Sequence, residues 1–252
     1  MFIDEPLISN VVFYPRKIPN FEILKFEIDS EIIIGGFLFL KDKNLPTILL
    51  FHGNGEIALE YINFAEMYFN IGVNLAVMDF RGYGFSSGEP YYTSLISDAI
   101  PIFKNFLNWM DDHDMNDSIF IKGRSLGSVC ASEIGSRSFE RINGLIFESG
   151  FGNLYNIMTN LFGVKSKNIS EDSLKEFSND TRMQKISKPV LIIHGTNDNI
   201  IPVEEAKVIY DSIPEDVYKI KVLIQGAGHN DISSFNPVQY FSALKNFIDI
   251  YK

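Results

Sequence analysis

From residue 47 onward the chain alternates short apolar runs with longer stretches patterned for helices, and that alternation leaves few folds open to it. The runs are 47–51, 73–78, 119–122, 144–147, 190–193 and 218–224. They are strand-sized and rich in β-branched and aromatic residues. Most lack the apolar–polar alternation of a half-exposed strand, so they belong in a mostly parallel sheet covered by helices on both faces. Two earlier runs, 21–28 and 32–40, follow one another without a helical stretch and are expected to form an antiparallel edge, which gives eight strands. Between the later runs Leu95, Ala99, Ile102, Phe103, Phe106 and Met110 recur at helical spacing, as do Tyr240, Phe241, Leu244, Phe247, Ile248 and Tyr251. Pro101 should kink the first of these helices or make it start late. In open sheets of this kind ligands bind beyond the carboxyl ends of the strands, so chemistry is to be sought where strands stop.

With 252 residues and 46% hydrophobic content the chain can bury one large core, and it reads as a single α/β domain over 1–252. Residues 151–187 break the alternation. Leu154, Ile157, Met158, Leu161 and Phe162 fall on one helical face, and the acidic residues Glu171, Asp172, Glu176 and Asp180 follow. This stretch reads either as a small lid insertion whose apolar face lines a pocket, or as a helix packed on the sheet. Against 22 Lys and Arg stand 32 Asp and Glu, a net charge of −10 that repels phosphate backbones and argues against nucleic acid as a partner. Cys130 is the single cysteine and reads as a small core residue. Acidic residues at the start and the absence of an apolar run near 20 residues predict neither signal peptide nor integral membrane segment, hence a cytoplasmic location. Oligomeric state is left open.

Chemistry concentrates after four of the runs. Ser125 lies in Gly123-Arg124-Ser125-Leu126-Gly127, between the run 119–122 and the helix-like 128–134. A serine at so tight a strand-to-helix turn presents its hydroxyl beside the positive end of a helix dipole, as a candidate nucleophile. It needs a base, and the base needs an orienting acid. Of the four histidines, His113 sits in a polar cluster and reads as surface. His52 and His194 precede glycines at strand ends and read as structural. His229, in the flexible Gly226-Ala227-Gly228-His229-Asn230-Asp231, is the candidate base, and Asp198, in the polar turn after 190–193, the candidate acid, with Glu148 in reserve. Oxyanion donors are expected from the backbone N–H groups of Leu126 and of Asn54, in the glycine-flanked loop His52-Gly53-Asn54-Gly55. The turn 79–88 carries four glycines without the spacing of a phosphate loop and reads as structural, with an Asp79–Arg81 interaction nearby. Arg124 is expected to pair with a carboxylate of the scaffold or to meet an anionic substrate.

Taken together, His52-Gly53-Asn54-Gly55, the turn 79–88, Gly123 to Gly127, 194–202 and Gly226 to Asp231 resemble the α/β-hydrolase superfamily, over nearly the whole chain. Within it, His52-Gly53-Asn54 and 226–232 look like the branch that includes eukaryotic protein depalmitoylases and microbial serine hydrolases. Unlike those depalmitoylases, the chain has no cysteine before Cys130. The resemblance implies a serine hydrolase that cleaves carboxylic esters or thioesters of a small-molecule or acylated substrate through an acyl-enzyme, with no cofactor and no metal. The same residues would also suit an acyltransferase, an amidase or a lyase, and the fold alone would suit a non-catalytic binding protein.

Overall fold

The computed structural model describes residues 1–18, 24–164 and 168–252. Positions 21–23 of the expected first strand, and 165–167 within the stretch 151–187, lie outside them. Eight strands form one sheet: β1 (Leu24–Glu27), β2 (Ile33–Phe39), β3 (Thr47–Phe51), β4 (Asn74–Met78), β5 (Ile119–Arg124), β6 (Ile142–Glu148), β7 (Val190–Gly195) and β8 (Lys219–Ile224). Their spatial order is β1-β2-β4-β3-β5-β6-β7-β8. β2 runs antiparallel to both β1 and β4, and every pairing from β4 to β8 is parallel.

Side chains of a strand alternate between faces, and here both faces are apolar. In β3, Leu49 and Phe51 join one core with the helices Tyr92–Asp112 and Ser128–Gly135. Ile48 and Leu50 join the other, with the helix Pro237–Tyr251. β4 divides in the same way, Ala76 and Met78 against Leu75 and Val77. Each fully buried aliphatic side chain contributes about 1.5–3 kcal/mol relative to exposure, which explains why strands with no polar face are stable only in the middle of such a sandwich.

The helix Tyr92–Asp112 contains Pro101 well inside it, so it does not start late. An interior proline costs about 3 kcal/mol, and the buried stripe from Leu95 to Met110 offsets it. Cys130 is buried and donates from Sγ to Leu95 O at 3.2 Å, and burial pushes its thiol up. Among the described residues no helix is long and apolar enough to cross a membrane.

Before the sheet begins, the helix Pro6–Val12 and the segment after it pack over the carboxyl ends of the strands. Ile8 and Val12 are buried in the core, and Arg16 O and Ile18 N pair with the backbone of Gly84.

Candidate active site

β5 ends at Arg124 and the next residue, Ser125, adopts φ +51°, the left-handed region that non-glycine residues enter at a cost of about 1–3 kcal/mol. That reversal turns a strand into a helix within three residues and leaves the Ser125 side chain at the sheet's edge rather than in the helix. The flanking glycines are required by crowding. A Cβ on Gly123 would lie 2.6 Å from Gly127 O and 2.7 Å from Ser128 Cα, and one on Gly127 would run into the carbonyls of Phe51 and His52.

Ser125 Oγ lies 3.0 Å from His229 Nε2, and His229 Nδ1 lies 2.7 Å from Asp198 Oδ2. The three residues come from the ends of β5, β7 and β8 and are all nearly buried. A carboxylate only accepts, so Nδ1 carries the proton and Nε2 faces the hydroxyl as an acceptor. Asp198 is itself held: its Oδ1 accepts the N–H groups of Ile200 and Ile201 at 2.9 and 2.8 Å. Burial alone would raise its carboxyl, but hydrogen bonds from His194 and His229 outweigh burial and keep it well below the usual carboxylate range. The loops are tied to each other by Asn197 N–H donating to Ala227 O at 2.9 Å.

The remaining histidines stand elsewhere. His194, fully buried, donates from Nε2 to Ile201 O at 2.9 Å and props the turn that carries Asp198. His113 stacks on Trp109 at the surface, with centroids 3.9 Å apart. His52 bonds through Nδ1 to Gly53 O at 2.7 Å. That bond fixes the plane of the Gly53–Asn54 peptide, and because the peptide is trans, the N–H of Asn54 points the opposite way. Asn54 is among the residues lining the cavity beside Ser125. Its side chain is anchored at both ends: Nδ2 donates to Val12 O at 2.6 Å, while Oδ1 accepts Tyr14 N–H at 3.0 Å and Tyr83 O–H at 2.6 Å. Leu126 stands in the first turn after the strand, where backbone N–H groups lack intrahelical acceptors.

Two expectations need correction. Asp79 does not pair with Arg81. Asp79 is fully buried, accepts Ala58 N–H at 2.9 Å and lies 3.2 Å from His52 Nε2, too poorly aligned for a hydrogen bond. Arg81 instead grips Asp98 on the following helix with two bonds of 2.6 and 2.7 Å, because its planar fork fits a carboxylate side-on. Glu148 does not reach His229. It is buried with its oxygens on Lys122 at 2.5 Å, on Arg124 at 3.2 Å and on the hydroxyl of Tyr240. Burial would raise its carboxyl, and the two cations outweigh burial and bring it down to about 2.

A cavity of about 270 Å³ opens on Ser125 and His229, walled by Tyr92, Phe151, Leu154, Ile157, Phe162 and Ile201 among others. Leu154 to Phe162 come from the stretch that broke the strand–helix alternation. There a one-turn helix, Leu154–Asn156, passes into a π-helical turn, Ile157–Leu161, which bunches apolar side chains toward the serine. Among the described residues the cavity lining contains no Asp or Glu, and Arg124 is its one permanent cation.

Residues 42–171, just over half of the chain, match the family described as serine aminopeptidase, S33. The chain belongs to this family of α/β-hydrolases. Human alpha/beta hydrolase domain-containing protein 17B is 29% identical to it over 208 residues, 80% of this chain and 66% of that protein. The chain thus spans just under two thirds of that relative's own length. Est1E from Butyrivibrio proteoclasticus, solved with ferulic acid bound, superposes with a TM-score of 0.73 at 18% identity, covering 90% of this chain and 98% of Est1E. The esterase Pf2001 of Pyrococcus furiosus gives 0.71 at 20% identity, covering 94% and 98%. These superpositions establish the α/β-hydrolase fold.

Proposed function

We propose that this hydrolase cleaves carboxylic esters or thioesters of uncharged, short to medium-length acids through an acyl-enzyme. The observation that carries the reading is the continuous hydrogen-bonded line from Ser125 through His229 to Asp198 at the mouth of an apolar cavity. Ser125 Oγ attacks the substrate carbonyl as His229 Nε2 takes its proton. Asp198 holds the imidazole in the Nδ1–H tautomer and stabilises the imidazolium. The N–H groups of Asn54 and Leu126 receive the charge that develops on the carbonyl oxygen. His229 then returns the proton to the leaving alcohol or thiol, and a water molecule, activated in the same way, releases the acid.

The cavity supports the choice of acyl group. An apolar cavity of about 150 Å³ takes one benzene, so 270 Å³ accommodates roughly eight to ten carbons. The family's description names an aminopeptidase, whose substrate carries a free ammonium needing an anionic partner. With no carboxylate among the described lining residues, an uncharged acyl group fits better. The esterase named among the fold's neighbours agrees with this reading.

The test is labelling with a fluorophosphonate, which reports an activated serine before any substrate is known. Labelling lost in Ser125→Ala, together with hydrolysis of p-nitrophenyl esters that peaks at or below about ten carbons, is the expected result. Unlabelled wild-type protein would refute the reading in favour of a binding protein. Transfer of the acyl group to an added alcohol in preference to water would mark an acyltransferase.

A further inference from the structure

We infer that Arg124 is a positioning residue that ties the loop carrying the general base to the loop carrying the oxyanion amide, and that it does not receive an anionic substrate. The inference rests on the serine-hydrolase reading above. Arg124 precedes the nucleophile, and its guanidinium lies between two loops that the chain separates by more than a hundred residues. On one side Nη2 donates to His229 O at 3.0 Å and to Asn230 Oδ1 at 3.1 Å. On the other Nη1 pairs with Glu56 Oε1. Glu56 passes the link on, since its Oε2 accepts the N–H of Gly53 at 2.9 Å and the hydroxyl of Tyr61 at 2.7 Å. Nε completes the fork on Glu148 Oε1 at 3.2 Å.

Four features favour a tie over a receptor. The charges already close: Arg124 and Lys122 face Glu56 and Glu148, two cations against two carboxylates, so no net positive charge is left for a substrate. The guanidinium is almost wholly buried, and although burial works against its charge, Glu56 and Glu148 hold its pKa above the usual value. Its contacts point in fixed directions along one plane, which a guanidinium can satisfy and an ammonium cannot. Gly53 packs directly on it, for a Cβ there would strike Nη1.

A tie of this kind acts on the transition state. If His229 or the Gly53–Asn54 peptide shifts by about 1 Å, ground-state binding in the apolar cavity is untouched while the rate falls about 100-fold. Kinetics of Arg124→Met, Arg124→Lys and Glu56→Gln on a neutral p-nitrophenyl ester and on an ester of a dicarboxylic acid test this, with thermal unfolding as the control for folding. The expected result is a kcat lower by about 10²–10³ in Arg124→Met, with KM changed less than about threefold on either ester, and partial recovery in Arg124→Lys. Because Arg124 works partly through Glu56, the Arg124→Met/Glu56→Gln double variant should lose less than the product of the two single losses.

Unchanged kcat in Arg124→Lys and Glu56→Gln, both folded, would overturn the inference. So would a loss confined to KM for the anionic ester, which would make Arg124 a receptor. Should Arg124→Met fail to fold, the Lys and Gln variants decide. Absence of fluorophosphonate labelling in the wild-type protein would instead refute the hydrolase reading itself, so the two failures are distinguishable.

Discussion

Lys122 and Glu148 bury opposite charges side by side under the candidate active site, Nζ and Oε2 2.5 Å apart on the adjacent strands β5 and β6. Nζ also meets the hydroxyls of Tyr68 and Tyr240 at 2.7 and 2.6 Å, so each of its donors has an acceptor. A buried pair is strongly destabilising to break because the survivor is left uncompensated.

The pair makes stability depend on acid. Glu148 is held at about 2 in the folded chain against a usual value of 4.5. A depressed carboxyl stabilises the fold fully above its unfolded value, and that stabilisation fades as pH falls from about 4.5 toward about 2. It is on the order of 3 kcal/mol. Urea midpoints should show Glu148→Gln less stable than the parent at pH 7, with the gap narrowing steadily below pH 4.5. A gap independent of pH would mean that the carboxylate's charge is not what the fold depends on.

Asp198→Asn should lower kcat by up to about 10⁴-fold by favouring the wrong imidazole tautomer, with little effect on folding. Its Oδ1 would still accept the two amides of Ile200 and Ile201. Steady-state ester hydrolysis checks it, and activity within tenfold of the parent would remove Asp198 from the acid role.

Replacing Ile157 with Trp should shorten the acyl chain that is accepted, since Ile157 stands in the cavity wall in a π-helical turn. The expected signature is a selective fall in kcat/KM, about tenfold or more, for eight-carbon esters, with acetyl esters unaffected. An equal loss for both lengths would place the acyl group elsewhere.

His52→Phe keeps a flat aromatic ring, somewhat larger, but removes the donor to Gly53 O and leaves buried Asp79 facing a hydrocarbon edge. Loss of about 1–3 kcal/mol in stability from the missing buried donor should accompany a fall in kcat of about 100-fold as the Asn54 peptide loses its orientation. Glu56 N–H, which also reaches Gly53 O at 3.3 Å, becomes the effective anchor if kcat does not move.

Strand positions were readable because β3 to β7 are apolar on both faces; the ends of β5 and β7 led to Ser125 and Asp198, and the glycine-rich loop after the last run led to His229. The error at Asp79 has a plain cause. Sequence proximity suggested Arg81, but the side chains leave the turn in opposite directions, one to His52 and the other to Asp98, seventeen positions away. Arg124 could be read only as an alternative, because its partners Glu56, Glu148, His229 and Asn230 are distant in the chain and become neighbours only when the ends of β5 and β6 and two loops gather at one sheet edge. Residues before 19 yielded no expectation about the fold. The helix Pro6–Val12 is short and its apolar pattern is split, with Ile8 and Val12 buried while Leu7 and Val11 are exposed.

That opening segment is more than a covering. Val12 and Tyr14 supply two of the three partners that hold the Asn54 carboxamide. A protein trimmed back to the first strand would keep its sandwich of helices and sheet, yet the carboxamide would be left with Tyr83 alone. Without Ile3, Ile8, Val12 and Phe13 in its core, such a truncated form should melt earlier and, with a slackened oxyanion loop, be slow at its work.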